Sequence, residues 1–191
     1  MSNPGPKTVL PDTSSAVIDA LTLVKLKRML LFTQEDEQYL VMAGNILADH
    51  TDDILHKWYE QILHNNYLAH YFTRNGEPDL EYLQRLRPRF QEWLHSLCTR
   101  TENQQWWQFE ERIAAQLQLK NVPDNMEPLP LVYLRYLSTF IYPVAEAGRF
   151  FLQHHSGYAP HETERMHQAW FKAVSFSVLL WIYPEGKSLP F

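Results

Sequence analysis

Cysteine is almost missing from this 191-residue chain: Cys98 is the only one. That excludes a disulfide framework and a CxxC metal pattern, and it fits a reducing compartment. No basic stripe is present and the formal charge is −5, which argues against a nucleic-acid partner. No long hydrophobic run exists either. The longest, Ala173 to Tyr183, is interrupted by Ser175 and Ser177 and is about half of what a bilayer requires. The opening Met1-Ser2-Asn3-Pro4-Gly5-Pro6-Lys7 has no apolar h-region and no twin arginine, so the expected location is the cytoplasm, with no membrane partner. No Ser-His-Asp or phosphate-loop signature occurs, so nothing points to a hydrolase or a kinase, and the expected protein is not an enzyme. One absence is positional: no histidine stands between His95 and His154.

What is present describes one globular domain. Hydrophobic residues make up 45% and charged residues 20% of the chain, enough apolar surface for a single sizeable core at this length. Aromatic residues, at 14%, can line a large pocket or an interface, although any single one can equally fill a core.

The apolar spacing is helical throughout, and no strand alternation or internal repeat is visible. Residues 1–15 read as a flexible arm rich in Pro and Ser, and residues 16–191 as one domain. A helix over Ala16 to Phe32 carries Val17, Ala20, Leu21, Val24, Leu26 and Leu30. Thr33-Gln34-Glu35-Asp36 then opens a second helix with a cap and an acidic first turn, ending near His50. A third begins at Asp52 or Asp53 with Ile54, Leu55, Trp58, Tyr59 and Ile62 inward. A short helical piece around Tyr67 to Phe72 leads to a turn at Arg74-Asn75-Gly76-Glu77-Pro78.

From Asp79 a helix runs to about Cys98, with a break expected within one turn before Pro88. Thr101-Glu102-Asn103-Gln104 has capping-box form and starts a helix whose Trp106, Phe109, Ile113 and Leu117 share one stripe. A loop over Val122 to Pro130 precedes two long apolar helices, from Leu131 to about His155, bent at Pro143, and from after Pro160 to before Pro184. About eight helices in one domain make an all-α fold, for which globin-like packing is one natural outcome.

The order of several blocks is similar to that of the protoglobins, single-domain globins of archaea and bacteria related to globin-coupled sensors. The blocks are Phe32-Thr33-Gln34-Glu35-Asp36-Glu37, Trp58-Tyr59, Tyr71-Phe72-Thr73, Arg89-Phe90-Gln91-Glu92-Trp93, Arg135-Tyr136-Leu137 with Phe140-Ile141-Tyr142-Pro143, Met166 to Ala173, and Trp181-Ile182-Tyr183-Pro184. The resemblance implies a globin fold with an extra N-terminal helix, enclosing haem b and binding diatomic gases such as O2, CO and NO. It implies that Trp58, Tyr59, Phe90 and Phe140 line the haem pocket, Tyr59 donating its hydroxyl to an iron-bound ligand. The family's proximal histidine falls on Leu117, which has no donor atom, and the histidine gap leaves no substitute nearby.

Three readings follow. In the first, haem iron is held without that histidine, with Tyr59 as a phenolate metal ligand. In the second, a haem-free cavity binds a small apolar molecule. In the third, the chain is an interaction or sensor module, a homodimer through its last two helices. His154, His155, His161 and His167, and likewise His50, His56, His64 and His70, are expected on the surface, because pairs such as His161 and His167 or His50 and His56 stand six residues apart and fall on different helix faces. Cys98 is expected to be a buried structural thiol rather than an iron ligand.

Overall fold

The structure, a computed structural model, describes residues 20–65, 69, 73–74, 77–78, 80–99, 129–155 and 157–182. Six α-helices lie among them: α1 (Ala20–Met29), α2 (Gln34–Leu47), α3 (Thr51–Leu63), α4 (Leu80–Cys98), α5 (Leu129–His154) and α6 (Pro160–Ile182). One turn of 3₁₀ helix, Ala48–His50, joins α2 directly to α3. The all-α expectation holds. The expected N-terminal arm and the expected helix bearing Leu117 lie outside the described residues, as does the expected 67–72 piece apart from Ala69.

The expected turn at Arg74–Pro78 is bracketed by a two-residue antiparallel ladder, β1 (Thr73–Arg74) and β2 (Glu77–Pro78), with Thr73 opposite Pro78 and Arg74 opposite Glu77. Such short strands show no alternation to read.

Two proline expectations need correction. α4 runs without interruption through Pro88, so the expected break is not there. Pro88 is exposed, and so is Gln84 one turn earlier. The carbonyl that loses its helical donor therefore lies on the wet face, where water can satisfy it. The other face, with Phe90, Trp93, Leu94 and Leu97 buried, holds the helix together by packing. α5 begins at Leu129 and contains Pro130, which had been placed in the preceding loop. Proline is tolerated in a first helical turn because its missing N–H would have had no partner there.

α1 turns a different face inward from the one its spacing suggested. Leu23, Leu26 and Leu30 pack against Phe176 and Leu180 of α6, whereas Leu21 and Val24 are exposed. Behind this contact the chain reverses at Leu31, whose φ is +51°, and enters α2 through a complete capping box. The Asp36 backbone N–H donates to Thr33 Oγ1, and the Thr33 N–H and hydroxyl both donate to Asp36 Oδ2, at 2.7 and 2.9 Å. Lys172 of α6 completes the corner. Its ammonium donates to both Asp36 carboxylate oxygens at 2.9 Å and to the Leu31 carbonyl at 2.8 Å. Two of the sequence blocks are thus joined across 136 residues by one ion pair.

α6 is the central element, packed against α5, α2 and α4. Residues Ala173 to Val178 are all buried, so this stretch is enclosed on every side. α5 runs antiparallel to it: Arg149 meets Glu164, Glu146 meets His167, and Val144 accepts a hydrogen bond from Trp170 Nε1 at 3.3 Å. Gly148 makes this approach possible, because a Cβ there would overlap the Trp170 indole. Gly44 does the same for α2, whose crossing of α4 leaves room at Cys98 for a hydrogen and nothing larger.

Candidate functional site

Four helices bring their aromatic side chains to one place. Phe140, on α5, is the centre of the group. Its ring lies 5.1 Å from Trp58 of α3, 5.7 Å from Trp93 and 6.5 Å from Phe90 of α4, and 5.9 Å from Trp181 of α6, centroid to centroid. The rings are tilted or edge-to-face, the geometry in which positive ring edges meet negative ring faces. Phe90, Trp93, Phe140 and Trp181 are buried, and Trp58 is half-buried against them. Tyr59, 2% exposed, adjoins the group through Trp58 at 6.5 Å.

The structure therefore brings together Trp58, Phe90 and Phe140, with Tyr59 beside them. Leu117 lies outside the described residues. Sequence reasoning missed Trp93 and Trp181 as members of this wall, reading them only as part of helical patterns and blocks. Their neighbours identify them: Trp93 lies 5.6 Å from Trp181 and 6.0 Å from Trp170, tying the wall to the core of α6. The indole N–H of Trp93 donates to Ser177 Oγ at 3.3 Å, so one serine that interrupts the apolar run satisfies a buried donor. The other, Ser175, donates to the Phe171 carbonyl at 2.8 Å, within its own helix.

The histidines fall elsewhere. His56, His64, His95, His154, His155 and His161 are exposed, and His70 lies outside the described residues. His50 is only partly exposed, its ring stacked on Phe151 at 4.2 Å. His167 is buried, which corrects its expected surface position. It stands four residues after Thr163 and three before Trp170 on the inward stripe of α6, and this spacing was legible in the sequence. It is also fourteen positions from Trp181, about 21 Å along the helix. Cys98 is buried at the α2–α4 crossing, eight positions or about 12 Å along α4 from Phe90, as expected of a structural thiol.

Helices packed in this way define a globin. The chain belongs to the protoglobin family, whose family model, described as Protoglobin, matches residues 19–185. Among solved structures it is similar to the globin domain of the Geobacter sulfurreducens globin-coupled sensor, at 17% identity. That match covers 83% of this chain and 93% of that one with a TM-score of 0.60. A comparison with curated proteins found no match.

Haem is the group this family implies, and the described residues fit it on one count and not on another. The wall supplies apolar aromatic side chains of the kind a large planar ring packs against, with one phenol at its side. Among the described residues no histidine adjoins the wall, and no three His, Cys, Asp or Glu side chains converge on a metal position.

Proposed function

We propose that this globin is a receptor for small apolar ligands, diatomic gases above all, and that the surface formed by Trp58, Tyr59, Phe90 and Phe140 lines its ligand pocket. The observation that carries this reading is the convergence of those rings from three separate helices, with the buried Tyr59 beside them. Haem, when bound, would supply an iron that binds O2, CO or NO. The protein's own part is to exclude water with the wall and to offer the Tyr59 oxygen. The hydroxyl could donate a hydrogen bond to a polarised ligand, and as a phenolate Tyr59 would hold the iron in place of an imidazole. The reading is of a binding protein rather than a catalyst. Its likeness to a globin-coupled sensor domain supports a sensing role.

Haem reconstitution followed by absorption spectroscopy tests the proposal. Uptake should give a Soret band without the signature of histidine ligation, and Tyr59→Phe should change it markedly. A histidine-type spectrum indifferent to that substitution would refute the assignment of Tyr59. A second reading rests on the absence of histidine from residues 96–153. In it the pocket takes an apolar molecule with no haem, and the protein stays colourless after haem supply.

A second copy of the chain is the partner we assign to α5 and α6, which expose Tyr142, Phe150, Phe171 and Leu179. Sedimentation should show a dimer that Phe171→Glu with Leu179→Glu dissociates. A monomeric parent would overturn the assignment.

A further inference from the structure

His167, in the α5–α6 seam, has no part in the ligand pocket. It is 9% exposed, and neither ring nitrogen has a hydrogen-bond partner among the described residues. Buried polar atoms are normally paired, and one left without a partner calls for a reason. Its Nε2 lies 3.7 Å from Glu146 Oε1, outside hydrogen-bond range but within reach of a small side-chain movement. That same Glu146 oxygen is 3.7 Å from Arg149 Nη1, and Arg149 Nη2 is 3.5 Å from Glu164 Oε2.

The surrounding charges divide by element. α5 contributes Glu146 and Arg149, and α6 itself contributes Glu164. α2, packed on α6, directs Glu35 to Arg165 at 3.9 Å and Asp36 to Lys172. α4 meets α6 through the neutral pair Trp93 and Ser177.

We infer that His167 is a proton-operated latch between α5 and α6. Neutral, it lies between the helices without a partner; protonated, it closes on the Glu146 carboxylate, drawing it from Arg149, which keeps Glu164. The two helices so joined also carry Phe140 and Trp181 of the aromatic wall.

The direction of titration agrees with this geometry. Burial, and next the Arg149 guanidinium, hold the imidazole below the ordinary histidine range, and the Glu146 and Glu164 carboxylates offset them only in part. The unfolded chain therefore takes up this proton first as pH falls. The contribution of neutral His167 to stability is complete above about pH 6.5 and is lost as pH falls through the lower folded value.

The test is imidazole NMR on the full chain between pH 8 and 4.5, with thermal melts over the same range. His167 should titrate below the exposed histidines. Glu146→Gln should lower its midpoint, since a stabilising negative charge is removed, and Arg149→Gln should raise it. Charge alone would give a fixed imidazole those opposed shifts, so closure is read separately. Below the midpoint the His167 Nε2 proton should become protected from exchange with water in the parent and stay unprotected in Glu146→Gln, and its remaining unprotected in the parent would overturn the latch. His167→Phe should flatten the fall in melting temperature on acidification, and His167→Gln serves if the phenylalanine variant does not fold. Titration of His167 together with the surface histidines, or the absence of opposed shifts in the two variants, would overturn the latch.

Discussion

Removing the Asp36 carboxylate tests the corner that fastens α1 and α2 to α6. In the native protein this carboxylate accepts from the Thr33 N–H, the Thr33 hydroxyl and the Lys172 ammonium, at 2.7 to 2.9 Å. Asp36→Ala deletes half of a capping box, an interaction of about 0.5–2 kcal/mol. It also leaves Lys172 with only the Leu31 carbonyl. Breaking a fully buried pair costs about 3–5 kcal/mol. Here the Lys172 side chain is 23% exposed, so water recovers part of that cost. The sum is a loss of about 2–4 kcal/mol, or roughly 5–15 °C in melting temperature for a chain of this size.

Urea unfolding of wild type, Asp36→Ala, Lys172→Met and the double variant measures the coupling directly. The pH dependence adds a second signature. Burial pushes this carboxyl up, but the hydrogen bonds from Lys172 and Thr33, with the nearby ammonium charge, more than compensate and leave it below the ordinary aspartate value. The unfolded chain then protonates first, so the contribution is complete above about pH 4 and is lost as pH falls through the folded value. A coupling energy below about 0.5 kcal/mol at pH 7 would show the ion pair to be incidental, because that is what an exposed pair delivers.

Further outcomes follow from the packing. Gly148→Ala should destabilise the fold by about 1–3 kcal/mol, since the added methyl must displace the Trp170 indole and its bond to the Val144 carbonyl; an unchanged urea midpoint would contradict so tight an approach. Phe140→Ala should cost about 3–5 kcal/mol and admit water to the wall, seen as a red shift in tryptophan emission; unshifted emission would mean the rings do not depend on it. Leu117→His should raise haem uptake and give a Soret band that shifts with CO, by returning an imidazole to the position where the protoglobin resemblance puts one. A folded variant with no more haem than its parent would favour the haem-free reading.

The blocks that resemble protoglobins were legible because they are local. Thr33 and Asp36 sit three apart and form a capping box from their own backbone, whatever lies beyond. The long apolar periods of α3 and α4 likewise indicated which faces turn inward, while Trp58, Tyr59, Phe90 and Phe140 were selected as pocket residues by the resemblance to protoglobins, before any contact between them was visible. The histidine gap is also a property of sequence alone. Propensity misled at Pro88, where packing on one face and solvent on the other let the helix continue.

Contacts between distant segments belong to the tertiary structure. Lys172 has no local partner for its charge and reaches the α2 cap only through the docking of α6, and Ser177 looked like an interruption until Trp93 donated to it. His167 was assigned to the surface because its spacing from other histidines was weighed, and not its phase with Trp170. Its burial follows from the antiparallel docking of α5, which Gly148 permits by bringing the two backbones close. Helical periodicity fixes which residues share a face. Which face meets which is decided by long-range packing, where the free energy depends on shape and charge complementarity between segments that no local pattern connects.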